Sequence, residues 1–474
     1  MKTSDRRIMR IERLRSHLED LYRKKTPGSF KLYRRAGQSL VHGGSHTMRL
    51  WRPYPVFPVS ASGAEVEDVD GNVYLDYWQG HYANILGHNP PVILKAMRRL
   101  LESGGLHTGF EGRVQIDLAE ILLRQAGWPG DKVRFTTSGT LAAMYAVMMA
   151  KAFSGRDHIL KIGGGWHGAS PYLLKGVRHH RTRKFGSAES AGVADDLLRR
   201  THVTRFNDPD DLEHVFKTRG DKLACFIVEP FLGVGGFMPA ERDYLQAARR
   251  LTERHGVVLI FDEVISGFRF GPSGVQSFYD VRPDLSLFGK LIGGGHAVAA
   301  VIGRSEIMEW CDDRPAPGGR RVLFEGGTFS GHTSYLKAGA VMLGHLAGHA
   351  ERIYGRLSGK GDSLRTGIEK AFADEGFDVR CTGWGNAVVP GSSLFMVHFP
   401  RDGKTMKSPD DLLNDAVVDV RLREEILKLA LLIQDVHIVH GGGAVSTAHG
   451  NGQIRKTVEA YAGAAALFRK FLLD

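Results

Sequence analysis

Three places in this sequence put reactive groups where chemistry could use them. Asp262 follows the apolar run Val257–Phe261 and precedes Glu263. A carboxylate at that point borders a buried core and needs a cation or hydrogen-bond donors. Lys290 follows a second apolar run, Leu285–Phe288, through Gly289, and Gly293-Gly294-Gly295 come next. A lysine held among apolar groups binds its proton less tightly, and its amine becomes a nucleophile toward carbonyls. Ser138-Gly139-Thr140 stands between the strand-like Val133–Thr136 and a helical stretch, Leu141–Phe153. Backbone N–H groups at a helix start, with the positive end of the helix dipole, favour a phosphate. Gly139 lets the anion approach, and the two hydroxyls can donate to it. Ser and Thr are also ordinary helix caps, so this turn alone means little. Taken together, the cradle, the carboxylate and the lysine are the elements that pyridoxal 5'-phosphate requires of a protein. The lysine forms a Schiff base, the carboxylate keeps the pyridine nitrogen protonated, and the turn holds the phosphate. Trp166, after Gly163-Gly164-Gly165, can cover one ring face, and Val264, two residues beyond Asp262 on the same side, can fill the other.

Those residues need a frame. From 130 to 305, short apolar runs alternate with helical stretches, which predicts βα units and a mostly parallel sheet. His158–Ile162 runs into the triple glycine, and Ala224–Val228 ends at Glu229-Pro230. Each predicted strand ends in a polar residue or a glycine turn, the edge at which ligands bind in open α/β sheets. Upstream, Val66–Asp76 alternates around Asp70-Gly71-Asn72 and predicts a hairpin. Helices are expected over Val92–Leu101 and Val114–Ala126. Beyond 335 the sequence predicts a helix over Ser334–Ala350, strands over Arg380–Val389, Leu394–Phe399 and Val436–His440, an exposed loop over 401–415, and a last helix over Lys456–Leu473. The expected division is a basic amphipathic N-terminal arm (1–40), the N-terminal part of a small domain (41–100), a large cofactor-binding domain (101–335) and a C-terminal small α+β domain (336–474). No internal repeat is present.

The 474 residues, 42% hydrophobic and 24% charged, suffice for a sizeable core and exclude disorder over most of the chain. No apolar run approaches the roughly 18 residues of a membrane span, and no signal-peptide core precedes the body, so a cytoplasmic enzyme is expected. Three scattered cysteines, Cys225, Cys311 and Cys381, make neither a disulfide framework nor a thiolate metal site. The net charge of +11 is concentrated: residues 1–36 hold 12 Lys/Arg against 4 Asp/Glu, leaving a nearly neutral body. In that arm Ile8, Ile11, Leu14, Leu18 and Leu21 recur every three or four residues, the pattern of a helix packed on the body or on a partner subunit. Glu12, Glu19 and Asp20 argue against a transit peptide. The body lacks a basic stripe with interleaved aromatics, so no nucleic-acid partner is expected. His42 and His46 are four apart, but Gly43 and Gly44 between them break the helix that a metal pair would need, so no metal is expected. His179-His180 falls in the basic stretch 178–184, read as a solvated surface.

Six motifs in order carry a family resemblance. They are Thr137-Ser138-Gly139-Thr140, Gly165-Trp166-His167-Gly168, Ile227-Val228-Glu229-Pro230, Leu259 through Asp262-Glu263-Val264, Pro283-Asp284-Leu285 through Gly289-Lys290, and Gly327-Thr328-Phe329-Ser330-Gly331. Over residues 40–474 the sequence resembles the class III, fold-type-I pyridoxal-phosphate aminotransferases, and within them the glutamate-1-semialdehyde aminomutase branch. The resemblance implies an α/β fold: a large domain with a mostly parallel, seven-stranded type of sheet between helices, plus a smaller α+β domain. It implies Lys290 as the Schiff-base lysine and Asp262 as partner of the pyridine nitrogen. Ser138, Gly139 and Thr140 would hold the phosphate, Trp166 would stack on the ring, and His167 would stand behind these contacts. Thr328 would reach the phosphate of the neighbouring subunit, so that a homodimer shares its sites. Arg49 would hold the substrate carboxylate, with His81 and Glu229 also on the substrate side.

The departures fall on the substrate side. Leu141 stands where the family usually has Glu, and His81 where the aminomutases have Trp. Near the C-terminus, His440-Gly441-Gly442-Gly443 replaces a stretch that holds a Glu in the aminomutases. These differences point to a transaminase acting on another carboxylate-bearing amine and a keto acid or aldehyde. Aminomutase activity is the alternative, and a racemase or epimerase the third. A degenerate fold acting as a regulator, or as a nucleic-acid binder through the basic arm, is the non-enzymatic alternative.

Overall fold

The computed structural model describes residues 3–128, 131–180, 182–312, 321–401 and 404–473. Position 181 of the basic stretch and positions 402 and 403 of the predicted 401–415 loop lie outside them. Seven strands form the central sheet: β1 (Lys132–Thr136), β2 (His158–Ile162), β3 (Thr201–Thr204), β4 (Leu223–Val228), β5 (Val258–Asp262), β6 (Leu285–Phe288) and β7 (Ala299–Gly303). Their order is β1-β7-β6-β5-β4-β2-β3. Every pairing is parallel except those of β7, which runs antiparallel to β6 and β1. Strands β4 to β7 are buried at every position, because helices cover both faces. That burial explains why they read as unbroken apolar runs rather than alternating ones.

The helix Gly139–Ser154 packs across β1, β4, β6 and β7, with Ala142, Ala143, Ala146, Val147 and Ala150 buried. Its alanine-rich face lets the helix approach the sheet closely. The chain leaves it through Gly155 at φ 69°, a left-handed cap that glycine makes easy.

The predicted hairpin forms between Glu65–Asp68 and Val73–Asp76. Val436–His437, from near the other end of the chain, adds in parallel to Val73–Asp76. A second small sheet joins Arg380–Thr382, Leu394–His398 and Gly442–Ala444, all antiparallel. The strand expected over Arg380–Val389 stops after three residues, because Gly383 turns the chain at φ 99°. The helix expected over Ser334–Ala350 is Thr333–Gly348, and a further helix, Ala350–Ala373, follows at once. A short helix, Pro409–Leu412, interrupts the predicted loop.

The N-terminal arm is a helix, Thr3–Lys25, packed on Leu427–Ile433 and on the last helix, Asn451–Leu472. Ile11, Leu14 and Leu18 are buried as their spacing predicts, and Tyr22 joins them, while Ile8 is 53% exposed. The three cysteines are buried and unpaired. Among the described residues, no helix is long and apolar enough to cross a membrane.

Candidate active site

Five strand ends meet at one edge of the central sheet, and a cavity of about 380 Å³ opens there. Thr137–Thr140, Trp166–Gly168, Glu229, Asp262, Val264 and Lys290 line it, together with His46, Arg49 and His81 from the N-terminal segment. Of the residues named from sequence, only Thr328 is not on this lining. It is exposed, and its carbonyl accepts from Thr108 Oγ1 at 3.4 Å.

Asp262 terminates β5 and is 5% exposed. Its Oδ2 accepts from His167 Nδ1 at 2.8 Å, and its Oδ1 accepts from the Val264 backbone N–H at 3.1 Å. His167 is fully enclosed; burial pulls its pKa down against the opposing pull of Asp262. Its other ring nitrogen, Nε2, is buried without a protein partner.

Lys290 begins a single 3₁₀ turn, Lys290–Gly293, at the end of β6 and has a positive φ of 46°. Burial lowers its pKa, while Asp262 and Glu229 pull the other way. The outcome is an amine that loses its proton more easily than a free lysine, the property a carbonyl nucleophile needs.

At the start of the helix Gly139–Ser154, Ser138 Oγ accepts from Leu141 N–H at 3.3 Å. Thr140 Oγ1 accepts from Ala169 N–H at 3.3 Å. Both hydroxyls therefore keep their own protons to donate into the cavity. A Cβ on Gly139 would lie 3.0 Å from Val264 Cγ2, so glycine is what lets this turn pack so closely on Val264. The donor set fits pyridoxal phosphate: hydroxyl and N–H donors for the phosphate, an amine for the aldehyde, and a buried carboxylate for the pyridine N–H.

Glu229, expected beside the substrate, has both oxygens engaged by backbone: Oε1 accepts from Trp166 N–H and Oε2 from Gly233 N–H, each at 2.9 Å. Burial, reinforced by Asp262, pushes its pKa well above the usual carboxylate range. Its geometry ties the Trp166 loop to the end of β4.

Arg49 closes the 3₁₀ turn Thr47–Arg49 and is exposed at the cavity rim. His81 sits deeper, with Nε2 enclosed and unpartnered. Its ring lies 4.3 Å from that of Trp78 and 5.2 Å from that of His46, measured between centroids. Burial, then Arg49, His46, Lys290 and His440, lower its pKa to about 4. His46, Ile265 and His296–Val298 also line the cavity. The spacing of His42 and His46 draws attention only to metal binding, whereas its place three residues before Arg49 is what marks His46 for the site. Asp284 and Glu263 serve the frame. Asp284 accepts from Leu259 N–H at 2.8 Å and Arg304 at 2.7 Å, and Glu263 caps Val275 and Gln276.

A parallel-sheet edge that joins a lysine, a carboxylate and a helix-start anion cradle defines a fold-type-I pyridoxal-phosphate enzyme. The aminotransferase class-III family matches residues 48–386, and the chain belongs to it. A glutamate-1-semialdehyde 2,1-aminomutase of Methanothermobacter thermautotrophicus is 37% identical over 371 residues, 78% of this chain and 83% of its own. An ω-transaminase from Sphaerobacter thermophilus superposes with a TM-score of 0.83 at 30% identity, covering 93% of this chain and 98% of that one. A transaminase solved with pyridoxal phosphate bound superposes at 0.81 and 28% identity, covering 94% and 98%. The protein is thus a pyridoxal-phosphate-dependent enzyme of the class III aminotransferase family.

Proposed function

We propose that the enzyme transfers an amino group between a carboxylate-bearing amine and a keto acid or aldehyde. The observation that carries this reading is the cavity itself: Lys290, Asp262 and the 138–140 cradle share one wall system with Arg49 and His81. When bound, pyridoxal phosphate supplies the electron sink that lets a C–H bond beside the amine ionise. In this reading Ser138, Gly139 and Thr140 hold its phosphate, Lys290 holds its aldehyde carbon, and Trp166 and Val264 bracket its ring. Asp262, oriented by His167, holds the proton on its pyridine nitrogen. Lys290 Nζ, an amine whose burial weakens its hold on a proton, would be the group placed to take up the proton from the carbon beside the substrate amine. Arg49 fixes the carboxylate, and His81 packs beside it as a neutral imidazole. Glu229 acts here through Trp166 rather than on substrate.

The test is a panel of carboxylate-bearing and plain amines against pyruvate, 2-oxoglutarate and oxaloacetate, with both products measured. Transfer from at least one carboxylate-bearing donor is expected. No transfer in any pairing overturns the reading.

A second reading is favoured by the 37% identity to an enzyme named glutamate-1-semialdehyde 2,1-aminomutase. In that case glutamate-1-semialdehyde alone is isomerised, with no second substrate consumed. Rapid turnover of that single compound, with no transfer in the panel, selects this reading over the first.

We also propose a homodimer with shared sites, a reading supported by Thr328 being exposed and lying off its own chain's cavity lining. Chains carrying Lys290→Ala and Thr328→Ala are denatured, mixed and refolded. Mixed dimers regain one site free of both defects if Thr328 serves the partner's cofactor. No recovery in verified mixed dimers excludes that role.

A further inference from the structure

Residues 79–82 adopt a backbone that L-amino acids avoid. Gln79, Gly80, His81 and Tyr82 have φ of 47°, 61°, 61° and 68° in succession, and three of them carry a Cβ. In that region the Cβ crowds the following carbonyl, so a left-handed run persists only where its surroundings fix it.

The surroundings here converge on one side chain. Asp76 Oδ1 accepts from Trp78 N–H and Oδ2 from Gln79 N–H, each at 2.9 Å. The same two oxygens accept from His437 Nδ1 at 2.9 Å and from His88 Nε2 at 2.8 Å. Asp76 is 3% exposed. Burial alone would raise its pKa, but the two imidazoles outweigh that and hold the carboxylate ionised. Gln79 Nε2 donates to the Asp76 carbonyl at 2.6 Å, and Arg269 donates to the Tyr82 carbonyl at the far end of the turn. The residue thus presented to the cavity is His81, with an enclosed, unpartnered Nε2.

We propose that Asp76 is the positioning residue for His81: by clamping the left-handed turn 79–82 between His88 and His437, it aims the His81 imidazole at the substrate end of the site. What His81 meets there, a carboxylate-bearing amine, rests on the function proposed above; the clamp does not. His81 stays uncharged at neutral pH, since burial and the neighbouring Arg49, His46, Lys290 and His440 disfavour its proton. It therefore adds a polar, planar neighbour to the Arg49 guanidinium without adding a second cation. Removing one negative oxygen from Asp76 takes away an acceptor that backbone and imidazole both use, and the turn relaxes toward ordinary dihedrals.

The test uses the full-length holoenzyme and two readouts. In protein labelled with carbon-13 histidine, the His81 signal is assigned by its loss in His81→Gln and titrated. In the wild type its midpoint lies near 4; in Asp76→Asn it moves toward the ordinary 6.5 as the ring meets water. The second readout is a double-mutant cycle on kcat/KM for a carboxylate-bearing amine. Asp76→Asn lowers it about tenfold in the wild-type background and less than about twofold in a His81→Ala background. An unmoved His81 midpoint, or equal losses in both backgrounds, overturns the proposal. Should Asp76→Asn not fold, His437→Gln removes one brace and leaves the carboxylate, and the same two readouts apply. If the wild type moves no amino group at all, the transfer reading fails while the titration still decides the clamp.

Discussion

At the sheet end of the cavity, Asp262, Lys290 and the 138–140 turn each sit where a strand ends. At the loop end, Arg49 and His81 sit on turns of three and four residues. In the first group Asp262 is buried and Lys290 and the turn are half-buried, and the polar side chains are hydrogen-bonded: Asp262 by His167 and Val264, Ser138 by Leu141, Thr140 by Ala169. The second group sits on short turns, the His81 turn strained and pinned by the Asp76 carboxylate, with aromatic packing around it. Trp78 lies 4.3 Å from the His81 ring and 5.8 Å from His437, and Trp51 lies 5.4 Å from His437. A regular sheet can place atoms to a fraction of an ångström with few special residues. The loop end has to be fixed contact by contact.

The sharpest way to break the comparison is at the sheet end. Lys290→Ala removes both the attachment point and the proton carrier, and turnover should fall by about 10⁴-fold or more while the fold stays intact. Activity within tenfold of wild type would remove the sheet end from the chemistry altogether. Visible absorbance that borohydride abolishes in the wild type, and that is missing in the variant, gives an independent check.

Asp262→Asn comes next. The amide cannot stabilise a protonated pyridine nitrogen as a carboxylate does. The variant should keep the cofactor, because the cradle and Lys290 remain, but lose about 10²- to 10⁴-fold in single-turnover proton removal. Unchanged single-turnover rates would show that the carboxylate only anchors His167.

How far each end was legible in the sequence follows from the same contrast. Lys290 and Asp262 stand at the ends of uninterrupted apolar runs, so chain order alone exposes them. The turn at 138–140 is legible because its hydroxyls and glycine lie within three consecutive positions. The Asp76 clamp was not legible: His437 is 361 positions from its carboxylate, and nothing local announces a left-handed Gln, His and Tyr. Glu229 follows its strand directly, and the resemblance puts it on the substrate side. Its two backbone donors come from loops whose paths no periodicity reveals. The arm shows the limit of periodicity itself. Its spacing gives Ile11, Leu14 and Leu18, but the packed face extends to Tyr22, where the body provides cover, and not to Ile8.

A smaller effect separates the two ends by substrate. Arg49→Ala removes a guanidinium that can grip a carboxylate with two parallel N–H donors. The loss of a charged hydrogen-bonded contact costs about 1.5–3 kcal/mol, roughly 10- to 150-fold in kcat/KM for carboxylate-bearing amines. Plain amines should lose far less. Equal losses for both classes would mean that the 47–49 turn supports the site structurally rather than reading the carboxylate.

The smallest effect concerns Lys428, which stands behind the loop that carries Arg49. It is 6% exposed, and its Nζ lies 3.8 Å from the centre of the Trp51 ring. Burial lowers its pKa to about 7 from an ordinary 10.5, with Glu424 pulling the other way. The folded state therefore disfavours the ammonium, whereas the unfolded chain keeps it up to pH 10.5. The resulting destabilisation is fully present below pH 7 and fades as pH rises toward 10.5. Lys428→Met keeps the apolar stem and removes the desolvated charge, at the loss of a cation–π contact of about 0.5–2 kcal/mol. The net gain should be on the order of 1 kcal/mol, about 2 °C in melting temperature near pH 6–7, shrinking to nothing or turning negative near pH 10. A melting temperature that drops equally at both pH values would show that the ring contact outweighs desolvation. The loop end would then be held by charge as firmly as the sheet end is held by hydrogen bonds.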